Sequence, residues 1–209
     1  MMKGRKLLAM ALVCTVLGTG TVAAASPWGE YHGFAKVNVK VNNNEASLGN
    51  VPGFMIDGSV VLPLRKLAEL LQALVKWDSA TNTVDIYKPN VHLFVGEKLL
   101  KDGKNAEING IQNSFGLVQK GKTQYFVVFA QVDSLETSIS SLKIDIVSPS
   151  GEVVDSHETD LENAGNSFWY PWPFEVKFTE YGSYHVQLSM KIAEGDDYTV
   201  VAQKEIKSQ

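Results

Sequence analysis

Histidines are the side chains of this sequence that could bind a transition metal. The four histidines occupy separate segments and none forms a His-x-His pair; they are His32, His92, His157 and His185. A tetrahedral zinc or copper site needs several nitrogen or sulfur ligands at one point. Histidines scattered over strands and turns are usually solvated or hydrogen-bonded singly. We therefore predict no transition-metal site.

Carboxylates and hydroxyls offer two other kinds of chemistry. Glu194, Asp196 and Asp197 lie together and supply oxygen ligands of the type that calcium prefers. An acidic turn of this kind more often serves only solubility. The sequence contains no Gly-x-Ser-x-Gly nucleophile elbow, and no Ser-His-acid set follows from its spacing. We therefore predict no catalytic residue, no cofactor and no enzymatic activity.

The stretch "FWYPWPF", Phe168 to Phe174, is the candidate ligand-binding segment. Its two prolines remove backbone donors, which predicts that it is not a central strand. In polyproline geometry Trp169 and Trp172 would share one face, roughly 9 Å apart, and could stack sugar rings or hold a partner. Trp169, Tyr170 and Trp172 are therefore the candidate contacts with a ligand or partner.

Packing is the alternative role of the same segment, and the sequence favours it. The following "FEVKF" places Phe174, Val176 and Phe178 on one side of a strand. The rings of the stretch would then cover the open end of a sandwich, since exposing so many of them together promotes aggregation.

A small α+β module precedes this part of the chain. "KVNVKVNN" predicts a strand with Val37, Val39 and Val41 on one face, and "MIDGSVVLPL" predicts a turn at Asp57-Gly58. "PLRKLAELLQ" predicts a short helix that begins after Pro63. "LVKW" and "TVDIY" predict a hairpin, in which Trp77 alternates with Val75 and is expected in the core.

The run "VVLPLRKLAELLQALVKWDSATNTVDIY" resembles the copper amine oxidase N-terminal-like, or stalk, domain of secreted Gram-positive proteins. The resemblance covers about residues 35 to 88. That family usually has glycine at the position of Gln72, so we expect here a strained left-handed cap or a helix that continues for another turn. Arg65 and Glu69, one helical turn apart, are expected to form a surface ion pair.

The resemblance implies no oxidase activity, because the module is a non-catalytic appendage in the parent enzymes. Amine oxidation needs three histidine ligands and a tyrosine in an Asn-Tyr-acid context. None of the seven tyrosines follows an asparagine. The residues thus agree with the non-enzymatic prediction.

Alternating strands separated by turn clusters fill the C-terminal half. "TQYFVVFAQVDSL", "SLKIDIVSPSGEVVDS", "FEVKFTEYGSYHVQLSMKIA" and "YTVVAQKEI" predict an antiparallel β-sandwich. Gly182-Ser183-Tyr184 resembles the late-strand pattern of immunoglobulin-like domains, with Tyr184 as the corner residue. The predicted fold class is therefore α+β: a small stalk module with one helix, followed by an immunoglobulin-like sandwich.

The first 25 residues predict a secretory signal peptide. Lys3, Arg5 and Lys6 precede an apolar run that ends at an alanine triplet, so cleavage is expected after Ala25. The remainder carries 16 basic and 23 acidic side chains, a net charge of −7 with histidine neutral. This charge disfavours nucleic acid and anionic envelope polymers as partners. The mature protein is expected to lack cysteine and a membrane span.

These patterns predict four segments: residues 1–25 as signal peptide, 34–90 as stalk domain, 91–110 as linker and 111–209 as immunoglobulin-like domain. The predicted function is non-enzymatic binding or spacing at the cell envelope by a secreted protein, with a glycan or protein as target. The alternative is a secreted hydrolase inhibitor that acts through sandwich loops. Neither domain type determines the ligand.

Overall fold

A computed structural model describes residues 26–102, 108–161 and 165–209. The chain divides into two compact units, Met1–Pro63 and Leu64–Gln209. The predicted signal peptide, residues 1–25, lies outside the described residues, and its cleavage and the secretion of the chain stay predictions.

Unit 1 is built from short antiparallel strands. One sheet has the order β1-β2-β5-β6, and β3 pairs with β4 in a separate hairpin. The strands are β1 Glu30–Tyr31, β2 Phe34–Val37, β3 Lys40–Val41, β4 Asn44–Glu45, β5 Gly53–Ile56 and β6 Ser59–Val61. The single strand predicted from Val37 to Val41 is wrong, because the chain leaves the sheet after Val37 to form the β3–β4 hairpin.

Two-residue turns define the hairpins of unit 1. Asp57 and Gly58 both have positive φ (48° and 77°) and connect β5 to β6, which confirms the predicted turn. Asn42 and Asn43 (51° and 67°) connect β3 to β4 in the same way. Asparagine, aspartate and glycine tolerate this conformation, and it matches the twist of paired strands.

Unit 2 begins with the predicted helix, α1, Leu64–Leu70. Gln72 has φ +59°, so the strained left-handed cap is the correct one of the two expectations. The Ala73 N–H donates to Ala68 O at 2.9 Å and the Gln72 N–H to Glu69 O at 3.0 Å, a Schellman pair. On the surface of the helix, Glu69 pairs with Lys66 at 2.6 Å. The predicted Arg65 partner was wrong.

The predicted hairpin follows, with β7 Leu74–Asp78 and β8 Thr83–Tyr87 antiparallel. Leu74 at its start joins the main core. The expectation that Trp77 is a core residue is wrong, since Trp77 is 51% exposed. Successive side chains of a strand point to opposite faces. Leu74 lies on the face of β7 that is buried, and Trp77 lies on the opposite face with Val75.

Two sheets form the β-sandwich of unit 2. One has four strands in the order β10-β9-β12-β15, and the other five in the order β11-β17-β16-β13-β14. The strands are β9 Asn90–Lys101, β10 Ile108–Ser114, β11 Leu117–Val118, β12 Thr123–Asp133, β13 Ser141–Val147, β14 Val153–Asp160, β15 Phe168–Lys177, β16 Gly182–Lys191 and β17 Thr199–Ser208. Their pairing is antiparallel except for β11 with β17.

Inward side chains of both sheets make one apolar core. β12 contributes Phe126 and Val128, and β16 contributes Val186 and Leu188, all at most 1% exposed. Tyr184 is fully buried, and its hydroxyl accepts the Glu180 N–H at 3.0 Å. This is the predicted tyrosine corner.

The structure differs from the predicted linker at 91–110. β9 pairs with β12 from Asn90 to Gly96 and with β10 from Gly96 to Lys101. Residues 108–114 form β10, and residues 103–107 lie outside the described residues. Residues 91–101 and 108–110 thus belong to paired strands of the sandwich.

Candidate functional site

The aromatic stretch forms the first seven of the ten residues of β15, an edge strand that pairs with β12 along its length. The expectation that it is not a central strand is confirmed. Pro171 and Pro173 occupy alternate positions, so the two missing donors fall on the same side of the strand. Prolines are tolerated where that side carries no ladder hydrogen bonds.

Strand geometry places the two tryptophans on opposite faces of the sheet. Alternate residues of an extended strand point to opposite sides, so the expectation that Trp169 and Trp172 share one face is wrong. Paired with β12, the segment adopts strand geometry instead of a polyproline helix. Phe174, Val176 and Phe178 are buried, as predicted.

Tyr170 and Trp172 point toward the other sheet and meet His157 of β14. The His157 ring stacks on Trp172 with ring centres 3.2 Å apart and planes 3° apart. Tyr170 Oη lies 2.7 Å from His157 Nε2. Burial lowers the pKa of His157, while Asp155 acts in the opposite direction. These three side chains close the side of the sandwich between β14 and β15.

Trp169 lies on the outer face of the four-stranded sheet with two other rings. Its ring centre is 5.6 Å from that of Phe129 at an angle of 66°, and Phe129 lies 6.4 Å from Phe94. Phe129 is 5% exposed, whereas Phe94 and Trp169 are 44% and 55% exposed. Three adjacent strands thus present a row of rings whose two ends are open to solvent.

A groove of about 400 Å³, which we call the aromatic groove, runs between these rings and β10. It is lined by Phe94, Ile108, Asn109, Gly110, Ile111, Ser114, Phe129, Gln131 and Trp169. None of these side chains is charged. The Gln131 amide is oriented by a bond from Nε2 to Asp133 Oδ2 at 2.9 Å. The groove therefore offers ring faces together with neutral groups that can donate and accept hydrogen bonds.

The outer face of the five-stranded sheet is chemically different. Lys143 pairs with Asp145 at 2.8 Å, and the Lys143 and Lys191 ammonium groups each lie 5.0 Å from the Tyr198 ring. The Tyr198 hydroxyl bonds to Ser141 at 2.8 Å, and burial is the main cause that raises the pKa of Tyr198 to about 12. Lys143, Asp145, Tyr198 and Ser141 are thus paired with one another, in contrast to the half-exposed rings of the aromatic groove.

The structure does not bring the other chemistry-bearing residues together. Asp196 accepts the Ala193 N–H at 2.9 Å in its own turn, and His185 Nδ1 lies 2.7 Å from Gln203 Nε2. Within residues 26–102, 108–161 and 165–209, no three His, Cys, Asp or Glu side chains gather where a metal ion could bind. The same ranges contain no helix long and apolar enough to cross a membrane.

Sequence reasoning found Trp169 but missed the rest of the groove. Phe94, Ile108, Asn109 and Gly110 lay inside the predicted linker. Phe129 and Gln131 lie in "FVVFAQ", where apolar residues occupy both faces of the strand. The missed signal was "VHLFVG", a short apolar run that is consistent with a strand, in which His92 and Phe94 share one face.

Comparison with known proteins bears on the part of the chain from β3 to β10. Residues 40–113 match the family model of the copper amine oxidase N-terminal domain. The stalk-domain resemblance is thereby confirmed, and the match extends through β9 and most of β10. In copper amine oxidases this domain is a non-catalytic part of the enzyme.

A crystal structure of the CARDB domain of a Pyrococcus furiosus protein, in complex with di-metal ions, is similar with 14% identity and a TM-score of 0.34. The similarity covers 57% of this chain and 93% of that domain. No curated protein matches the chain.

Proposed function

We propose that this protein is a secreted, non-enzymatic binding protein of the cell envelope and that its ligand occupies the aromatic groove. The observation that carries the proposal is the row of Phe94, Phe129 and Trp169 on one outer face of the sandwich. The buried Phe129 fixes the floor, while the two outer rings stay accessible.

Exposed rings on a rigid sheet are typical of binding surfaces. Exposure of large apolar side chains is unfavourable, and clustered examples usually mark interaction sites. Tryptophan is among the residues that contribute most to binding energy. The copper amine oxidase N-terminal domain match supports a role without catalysis. The signal-like first 25 residues support an extracellular location.

Co-sedimentation with insoluble envelope from the producing cells tests this function. Wild-type protein should pellet with the envelope, and Trp169→Ala should stay in the supernatant. Trp77→Ala is the matched control, because Trp77 is a similarly exposed tryptophan outside the groove (51% against 55%). It should pellet like wild type.

Thermal melting of each variant shows whether loss of binding follows from loss of folding. Trp169→Ala should melt close to wild type, since more than half of its side chain is exposed. Wild-type protein that remains soluble beside the envelope, or equal pelleting of Trp169→Ala and wild type, would refute the proposed function.

A further inference from the structure

We infer that the ligand of the aromatic groove is an uncharged glycan. This inference rests on the proposed function, because it names the ligand class of the same site. It follows from four properties of the groove: its rings, its polar groups, its charge and its size.

The arrangement of the aromatic rings in the groove suits a ligand that has flat apolar faces and polar edges. A pyranose ring presents C–H groups on its faces and hydroxyls around its rim. Trp169 and Phe129 meet at 66°, so their rings form a corner in which a sugar ring can contact one ring with its face and the other with its edge. Phe94 extends the row by a further 6.4 Å. Contacts of this kind add to the energy of buried apolar area.

Polar groups of the lining match hydroxyls better than ions. Asn109 and Gln131 carry amides, and Ser114 carries a hydroxyl. Such groups both donate and accept hydrogen bonds, as sugar hydroxyls do. Because Gln131 Nε2 donates to Asp133, its amide is held in place before a ligand arrives. Pre-orientation of this kind lowers the entropic cost of binding.

Charge argues against anionic polymers. Among the described residues, none of the side chains that line the groove is cationic, so these residues offer no partner for phosphate, sulfate or carboxylate groups. The chain as a whole carries a formal net charge of −4. An anionic glycan would therefore approach against the field of the protein and find no compensation at the site.

Size and edge chemistry argue against a polypeptide. A protein interface of standard size uses roughly 20–30 residues on each side, whereas nine of the described residues line the groove. An extended peptide could instead add to the sheet beside Trp169, but Pro171 and Pro173 remove donors from β15. About 400 Å³ lies in the range of clefts that hold small molecules or parts of chains.

Affinity electrophoresis of the full chain tests the ligand class. Native gels would contain hydroxyethyl cellulose, soluble starch, mannan or glycol chitin as neutral glycans. Carboxymethyl cellulose serves as the matched anionic polymer because it shares the backbone of hydroxyethyl cellulose. A gel with unfolded casein represents polypeptide. At least one neutral glycan should retard wild-type protein, and neither carboxymethyl cellulose nor casein should do so.

Variants connect the retardation to the groove. Trp169→Ala and Phe94→Ala should weaken binding of the retarding glycan by about tenfold or more, while Trp77→Ala should bind like wild type. Retardation by none of the neutral glycans, by casein alone, or equally by carboxymethyl cellulose and hydroxyethyl cellulose would overturn the inference. Equal retardation of Trp169→Ala and wild type would overturn it as well. If Trp169-dependent envelope binding persists in any of these cases, the proposed function stands and only the ligand class is wrong.

Discussion

At the scale of the residue, the packing of His157 makes the free energy of unfolding depend on pH. Its ring stacks on Trp172 and bonds to Tyr170, and burial lowers its pKa from the usual 6.5. Above about pH 7.5 the ring is neutral in the folded and unfolded chains alike. As pH falls below this value, the unfolded chain binds a proton that the folded chain binds only at lower pH. The free energy of unfolding should therefore fall from about pH 7.5 downward through the folded pKa of His157.

His157→Gln isolates this contribution from that of the many carboxylates. The variant should be less stable than wild type at pH 8 because it loses the stack on Trp172. Its stability should nevertheless depend less steeply on pH between about 7.5 and 5.5 than that of wild type. Urea denaturation at several pH values measures both quantities. Parallel pH profiles for the two proteins would show that His157 titrates alike in the folded and unfolded chains.

Single residues also show what the sequence could not decide. Burial was expected for both Trp77 and Trp169, yet both side chains are about half exposed. Their neighbours in sequence do not tell whether another element covers the strand face on which they lie. Tyr170 and Trp172 contact His157, which lies on another sheet, and Trp172 is still 37% exposed. Such long-range pairing leaves no local signal.

At the scale of the element, the β9–β10 hairpin forms one wall of the aromatic groove and depends on Gly96. A Cβ at this position would collide with Ile111 Cγ2 and lie 2.9 Å from Gln112 O. Gly96→Ala should therefore displace β10 from β9 and deform the groove. We expect loss of envelope co-sedimentation and a lower melting temperature.

Gly116→Ala is the control for this change. Its added Cβ would meet Glu205 O at 3.8 Å, an ordinary contact, and Gly116 does not line the groove. This variant should bind and melt like wild type. Gly96→Ala with unchanged binding would show that the position of β10 is unimportant for the ligand.

Elements whose patterns are local could be predicted from the sequence. The helix was predicted because leucines recur at helical spacing after Pro63, and the hairpin turn at Asp57-Gly58 because few residues adopt its backbone conformation. β9 was missed because its C-terminal half, "GEKLLK", has the composition of a linker although β10 pairs with it. A polar composition indicates that a segment is exposed to solvent. It does not distinguish an exposed hairpin from a linker, because both are polar.

At the scale of the whole molecule, the position of β9 decides where the sandwich begins. β9 lies between β10 and β12, and its Val95 belongs to the core cluster. Every residue of that cluster lies between Leu74 and Ile206. The unit that contains it runs from Leu64 to Gln209, not from the boundary predicted at residue 111.

Two fragments distinguish these boundaries. Residues 64–209 keep both sheets and the complete core, so this fragment should unfold in one cooperative urea transition. Residues 111–209 lack β9, which would leave β12 as an unpaired edge and open the core at Val95. Exposed edges of this kind promote aggregation. The shorter fragment should therefore aggregate or unfold without cooperativity, as followed by circular dichroism and tryptophan fluorescence. Equal stability of the two fragments would restore the boundary that the composition of residues 91–110 predicts and would remove β9 from the folding unit.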